Sequence, residues 1–387
     1  MVGLIFSSLS FFFFGGKMTT IDKIRNALND FFIEREEEVD MLITAVLSRQ
    51  HCLLLGPPGT GKSMLCRAVA SHIAGARYFE WLLTKFSTPE EIFGPLDLKK
   101  LEQGVYQRNT AGKMPDSHIV FIDEIFKANS AILNSLLSII NERIYHNDSQ
   151  PIEVPLISLF GASNELPEEE EGLQALYDRL LLRKVLQPIS DYQNLRKLLA
   201  LQANYEPTVT VTLDELEKMQ WDATNVDISE IVSDVLRIKR DLEKEGIMIS
   251  DRRLKQSTTV IKAFAYMNGR KKATGDDLSI LQYVFWTDPG EIPTVKNVVL
   301  AVANPYAQKA AELSAILNDL KKEVAKYKEM SQDVIEIYNK TAKIISNLKD
   351  LIREAKKAHK SVTELERVKK QAEALKEHIA QNVLKLA

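Results

Sequence analysis

Eight residues, Gly56-Pro57-Pro58-Gly59-Thr60-Gly61-Lys62-Ser63, carry the sharpest chemical signal in the chain. An apolar stretch, Cys52 to Leu55, delivers the backbone to them, and a helical pattern follows. Glycines at 56, 59 and 61 permit backbone conformations closed to other residues and let N–H groups turn toward one point. A helix opening at Lys62 adds its free N–H groups and the positive end of its dipole. A polyphosphate fits this arrangement. Lys62 would reach the β and γ phosphates and the Ser63 hydroxyl would ligate Mg²⁺. The string matches the Walker A pattern at every fixed position. Pro57, Pro58, Thr60 and Met64 are taken with it as nucleotide-binding residues.

A second group lies about 60 residues on. His118-Ile-Val-Phe-Ile-Asp123-Glu124 is an apolar run ending in two acids, the Walker B pattern. A buried parallel strand presents its polar end at its C-terminal edge, where ligands of open α/β sheets bind. There Asp123 would hold the Mg²⁺ water shell. Glu124 would orient or deprotonate an attacking water. A further apolar run, 156–160, ends in Gly161-Ala-Ser-Asn164. The Asn164 amide is placed to hydrogen-bond that water and the γ-phosphate. Two sets of cations complete the candidates. Arg179 and Arg183 follow the asparagine strand, and either could serve as a transition-state finger. Arg252 and Arg253 fall in the first turn of a helix capped by Ser250. Cations there oppose the helix dipole, and a bound anion would account for them.

The elements that must hold these residues are legible as a pass along the chain. Apolar residues at helical spacing predict helices over 21–32 and 36–49, joined by Ile33-Glu34-Arg35, a link expected over an adenine. The phosphate-loop helix is expected to run to about 74 and stop at Gly75. A buried strand is expected over 78–83, then a short helix after Ser87-Thr-Pro-Glu-Glu91. An insertion follows, with a hairpin-like segment at 104–108. The pattern then predicts an amphipathic helix over 129–143 and a β-hairpin over 144–154. An acidic loop follows at 165–171. Beyond 189 the signal is almost wholly helical, with a strand only at 208–213. From 306 onward there is neither proline nor glycine, and the apolar spacing gives long helices packed as a hairpin or bundle.

The expected fold is therefore α/β: a P-loop three-layer αβα domain with a parallel sheet, an all-helical lid and a C-terminal long-helix bundle. Four segments are expected: an N-terminal extension at 1–17, the α/β domain at 18–188, the lid at 189–290 and the helical hairpin or bundle at 291–387. The bulk numbers agree with a cytoplasmic globular protein. The 387 residues are 45% hydrophobic and 27% charged, with net charge −3, so composition makes no case for nucleic acid. The two cysteines, Cys52 and Cys66, read as buried apolar residues. The apolar run at 2–14 is too short to span a bilayer and lacks the basic start and cleavage site of a signal peptide. Met18 is the expected natural start, with a membrane-adhering tag the alternative. Otherwise no direct membrane contact is expected. Residues 306–387 carry a net charge of +5, which suits docking to a partner or a solvated helix face.

Taken together, these motifs resemble the AAA+ ATPases of the MoxR family, and within it the RavA-like subfamily. The carrying strings are Gly56 to Ser63, Phe86-Ser-Thr-Pro-Glu-Glu-Ile-Phe-Gly-Pro95, Phe121-Ile-Asp-Glu-Ile-Phe-Lys-Ala128, Ala131-Ile-Leu-Asn-Ser-Leu-Leu137, Asn141-Glu-Arg143, Ala162-Ser-Asn-Glu-Leu-Pro167, Leu176-Tyr-Asp-Arg179 and Ser250-Asp-Arg-Arg253. The resemblance implies ATP/ADP and Mg²⁺ as ligands and Asn164 as sensor 1. It implies Arg179 as the arginine finger for a neighbour's ATP, with Arg183 the alternative, and Arg252, or Arg253, as the sensor 2 arginine. It implies that ATP lies between the α/β domain and the lid, and that segments 95–112 and 144–154 line a central pore. A homo-hexameric ring acting as a chaperone-like remodelling machine follows, with a von Willebrand A domain protein as partner and an unidentified protein substrate. A nucleic-acid motor of the same helix-2-insert clade is the alternative reading. The insert loops hold few basic residues, namely Lys99, Lys100 and Arg108. RavA's helical module is interrupted by a β-rich domain that contacts a lysine decarboxylase. Here the tail reads as continuously helical, so only the helical module is carried over.

Overall fold

The computed structural model describes residues 18–148, 150–167, 171–189, 191–201, 204–324, 327, 332–358 and 360–383. The apolar run at 2–14 and the centre of the acidic loop lie outside them. The chain opens with α1 (Thr20–Phe31) and α2 (Glu36–Ser48). β1 (Cys52–Leu55) leads through the glycine loop into α3 (Lys62–Ser71). α3 is shorter than its apolar pattern suggests. After His72 the chain forms β2 (Ile73–Ala74). His72 Nδ1 donates to the Val209 carbonyl (2.6 Å) and the His72 carbonyl accepts from Val211 N–H (2.8 Å). A distant segment therefore captures the helix end before Gly75.

β3 (Tyr78–Leu82) is followed by the short helices α4 (Pro89–Phe93) and α5 (Leu98–Glu102). The insertion is not a hairpin at 104–108. Its return arm pairs instead with the outgoing arm, through an antiparallel bridge between Leu96 and Arg108, and α5 forms the tip. Gly94 makes the close approach possible: at φ +100° a Cβ there would sit 1.8 Å from the Asn109 carbonyl oxygen. β4 (Ile119–Asp123), α6 (Ser130–Glu142) and the hairpin β5 (Ile144–Asn147) and β6 (Gln150–Glu153) follow. β7 (Ser158–Ser163), α7 (Glu171–Arg179) and β8 (Leu182–Val185) complete the α/β part.

The main sheet is five-stranded, in the order β3-β4-β7-β1-β8, with every pairing parallel. β1 and β7 are buried throughout and β4 nearly so, as expected for strands covered on both faces. β3 is an edge strand, so it is only half-buried rather than a core strand. Because all strands run one way, the sheet has two distinct edges. Leu55, Asp123 and Ser163 end strands at the C-terminal edge. Cys52, Ile119 and Leu182 begin strands at the opposite one.

After α8 (Tyr192–Ala200) and β9 (Val211–Thr212), which pairs with β2, come α9 (Leu213–Thr224), α10 (Val232–Lys244) and α11 (Asp251–Met267). The helix expected at 274–285 is a run of 3-10 turns, Gly275–Tyr283. The buried Asp277, held by Arg270 and Thr274, pins its start. α12 (Ile292–Ala303) buries Val295, Val299 and Ala303 in the core shared with the sheet. α13 (Pro305–Val324), α14 (Gln332–Lys357) and α15 (Thr363–His378) then enclose a second core around Leu317, Leu320, Leu348 and Val368. No helix among the described residues is long and apolar enough to cross a membrane.

Candidate functional site

The phosphate loop leaves β1 at the C-terminal edge. Gly56, Gly59 and Gly61 have φ of +142°, +79° and +82°. A Cβ on Gly56 would lie 2.5 Å from the Leu186 carbonyl oxygen, whereas one on Gly59 or Gly61 would meet nothing within 4 Å. The first glycine thus allows close packing onto the end of β8, and the other two shape an open cradle. Lys62 is buried, and its Nζ donates to the carbonyls of Gly56 (2.6 Å) and Pro57 (3.1 Å). Thr60 Oγ1 ties back to the Pro57 carbonyl (3.0 Å). Ser63 and Met64 stand in the first turn of α3, partly exposed and exposed respectively.

Two carboxylates and an amide converge on the loop. Burial lowers the pKa of Lys62, while Asp123 and Glu124 pull it back up, so all three charges share one neighbourhood. Asn164 follows β7, whose Ser163 is in register with Leu55 of β1. Its Oδ1 lies 3.4 Å from Lys62 Nζ, and its Nδ2 donates to Glu124 Oε1 (2.7 Å). Glu124 takes the left-handed conformation, φ +52°, and its N–H donates to Asp123 Oδ1 (3.0 Å). The donor set fits Mg²⁺, which binds through one or two protein oxygens completed by phosphate and water. Here the Ser63 hydroxyl and the Asp123 carboxylate are the oxygens that would serve. No cluster of three or more His, Cys, Asp or Glu suited to holding a metal by itself occurs among the described residues.

The four arginines separate sharply. Arg183 is 1% exposed. Its Nε, Nη1 and Nη2 donate to the carbonyls of Leu180 (2.9 Å), Trp286 (2.9 Å) and Tyr177 (2.7 Å), and its guanidinium stacks 3.7 Å from the Tyr177 ring centroid. Burial, with Arg253 nearby, brings its pKa down to about 9. Each guanidinium nitrogen is thus engaged in joining the end of α7 to the chain before α12. Arg253 is likewise buried, donating to the Val284 carbonyl (2.6 Å) and to Asp178 Oδ1 (3.3 Å). Its donors are taken up by these packing contacts in this structure. Arg252 is half-exposed and donates to Asn141 Oδ1 (3.0 Å). Arg179 Nη1 donates to the Ala175 carbonyl (2.5 Å), and its buried Nε has no hydrogen-bond partner. Burial lowers the Arg179 pKa, and Arg252 adds to the effect, so these two cations are neighbours.

Arg179 and Arg252 sit away from the phosphate loop. Arg179 precedes β8, whose first residue pairs with Cys52. Asn141, the partner of Arg252, ends α6 two residues before Arg143, which donates to the Arg49 carbonyl just before β1. Arg179 and Arg252 therefore lie at the N-terminal edge of the sheet, across the length of β1 from Lys62.

Residues not singled out by motif also shape the site. Arg35, 8% exposed, donates to the carbonyls of Thr60 (3.3 Å), Gln187 (2.9 Å) and Glu34 (2.8 Å). It fastens the 33–35 link to the phosphate loop. Glu37, two residues on, pairs with Lys184 and accepts from Tyr283 Oη (2.8 Å). Burial works against its charge, but Lys184, Lys296 and Arg367 hold it well below the usual carboxylate range. Lys127 pairs with Glu124 Oε2 at 3.2 Å. The signal for Lys127 was its spacing of three from Glu124, since residues i and i+3 of a 3-10 turn eclipse one another.

A five-stranded parallel sheet with a glycine loop, an Asp-Glu strand end and a helical lid defines a P-loop nucleotide-binding protein of the AAA+ ATPase class. The family described as "MoxR domain in the MoxR-vWA-beta-propeller ternary systems" matches residues 19–224, and an AAA lid domain matches 230–299. The chain belongs to the MoxR family of AAA+ ATPases. It is similar to two uncharacterised proteins of Methanocaldococcus jannaschii. One is 46% identical over 371 residues, covering 93% of this chain and 98% of the relative. The other is 48% identical over 347 residues, covering 87% and 91%. Protein MoxR of Methylorubrum extorquens is 27% identical over 157 residues, 39% of this chain and 44% of that protein. The fold matches the crystal structure of a candidate ATPase from Cytophaga hutchinsonii with TM-score 0.60 at 16% identity, over 74% of this chain and 94% of that one.

Proposed function

We propose that this MoxR-family ATPase works as a Mg²⁺-dependent homo-hexameric ring, coupling ATP hydrolysis to chaperone-like remodelling or assembly of partner protein complexes in the cytoplasm. The observation that carries the ring is the separation of the cations from the loop. Arg179 and Arg252 share one edge of the sheet and Lys62 holds the other. Their natural target is the ATP of a neighbouring subunit, so a complete site needs two chains. In this reading Gly56 to Met64 hold the phosphates, with Lys62 on the β and γ groups. The Ser63 hydroxyl and the Asp123 carboxylate would hold Mg²⁺, which when bound would supply neutralisation of charge on the phosphate oxygens. Glu124 takes a proton from water as its oxygen bonds the γ-phosphorus. The bond from that phosphorus to the bridging oxygen breaks, ADP leaves, and the proton passes to solvent. Asn164 orients Glu124 and the water, and the neighbour's Arg179 stabilises the transferring group.

The RavA-like placement rests on the Phe86-to-Pro95 and Ala162-to-Pro167 strings. The segmentation into α/β domain, lid and C-terminal bundle goes with it. The family's description supports a von Willebrand A domain partner. Replacing Glu124 by Gln should keep nucleotide binding and cut phosphate release to a small residual rate. Wild-type turnover in that variant would remove the base assignment. Mixing E124Q with R179A should restore activity, because about a quarter of interfaces in a random ring pair an intact site with an intact finger. Two dead variants that stay dead when mixed at subunit-exchange equilibrium would remove the shared site.

A further inference from the structure

We propose that Lys127 is a positioning residue for hydrolysis. It clamps the second carboxylate oxygen of Glu124 while Asn164 holds the first. The inference rests on Glu124 being the base of the proposed reaction. The two contacts divide the carboxylate: Oε1 accepts from Asn164 Nδ2 at 2.7 Å, on the side facing Lys62, and Oε2 faces Lys127 Nζ at 3.2 Å. With one contact the carboxylate could still swing about its side-chain torsions. With two its plane is fixed and the edge toward Asn164 is kept at the phosphate loop.

The geometry of Lys127 is imposed by its surroundings. It ends the 3-10 turn Ile125–Lys127, which Glu124 opens. Ile125 is fully buried against Gly161, where even a single added Cβ would come within 2.9 Å of its side chain. The Phe126 ring meets the Tyr177 ring edge-on, 5.9 Å between centroids. Two residues on, Asn129 Nδ2 donates to the Ser87 carbonyl (2.8 Å) while its Oδ1 caps α6. The turn is thus fixed on both sides of Lys127. The Lys127 N–H donates to the Glu124 carbonyl (2.9 Å), which closes the turn and sets the ammonium beside the carboxylate. Lys127 itself is 46% exposed against 15% for Glu124. Its charge keeps most of its hydration, and the pair acts on the orientation of Glu124 more than on stability.

The test uses the full chain. Phosphate release under single-turnover and steady-state conditions is compared for wild type, K127A, K127R, E124Q and E124Q/K127A, with a fluorescent ATP analogue titrated on each. K127A should lower kcat about fivefold, the upper end for a half-exposed ion pair. KM and analogue affinity should stay unchanged, and K127R should recover most of the loss. E124Q/K127A should be no slower than E124Q, because Lys127 acts only through that carboxylate. Wild-type or higher kcat in K127A, a loss of affinity in parallel with kcat, or further slowing in the E124Q background would each overturn the clamp. If E124Q loses turnover while K127A does not, the base stands and only the clamp falls. If E124Q turns over normally, both fall.

Discussion

Replacing Arg183 by methionine separates the two arginines that the sequence left as rival fingers. The guanidinium is 1% exposed and donates to three carbonyls on two elements. Each buried acceptor left without its donor costs about 1–3 kcal/mol. Removing the cation also relieves its desolvation, whose reality is visible in a pKa brought down to about 9, and that relief is worth several kcal/mol. The loss should leave a net destabilisation of about 3 kcal/mol, a fall in melting temperature of about 4 °C. Arg179 by contrast spends only one donor on its own helix, and its Nε has no partner. R179A should therefore change stability by less than about 1 kcal/mol while removing nearly all turnover in the assembled protein. Thermal and urea unfolding, paired with phosphate release at a temperature where both variants are folded, reads out both quantities. An R183M protein that melts like wild type yet hydrolyses no ATP would refute the reasoning and return the finger to Arg183.

Two further outcomes follow from the same structure. Gly56→Ala places a Cβ 2.5 Å from the Leu186 carbonyl at φ +142°. It should distort the loop and weaken nucleotide binding at least tenfold by titration, unlike Gly59→Ala, which meets no neighbour within 4 Å and carries only the backbone strain. His51 is buried, and its Nδ1 accepts from Leu159 N–H (2.9 Å), so it must stay neutral. Burial, with Arg143 beside it, lowers its pKa to about 3 from 6.5. The folded state then binds fewer protons than the unfolded one below pH ~6.5, so stability is full above that value and is lost as pH falls toward 3. The slope is at most about 1.4 kcal/mol per pH unit. Urea unfolding at pH 7.5 and 5.5 should show it, and His51→Gln should flatten the difference. An unchanged slope would place the acid sensitivity elsewhere.

The sequence by itself determined the chemistry at the C-terminal edge of the sheet. A glycine loop before a helix, and apolar runs ending in Asp123-Glu124 and Asn164, are local patterns whose positions along β1, β4 and β7 fix their meeting point once the strands are parallel. The long helices after 305 were legible for the same reason, since periodicity is local. What only the tertiary structure decided depended on contacts between distant segments. His72 is captured by 209–211, so α3 ends early. Leu96 finds Arg108, so the insertion closes on itself. Arg183 and Arg253 look like active-site cations in one dimension, but Arg183 is enclosed by carbonyls of Tyr177, Leu180 and the distant Trp286, and Arg253 by those of Val284 and Asp178. Arg252 falls beside Arg179 rather than Lys62 because α11 packs near the ends of α6 and α7. A charge's role depends on whether its donors are already occupied, and that is a property of packing, which residue type and spacing do not encode.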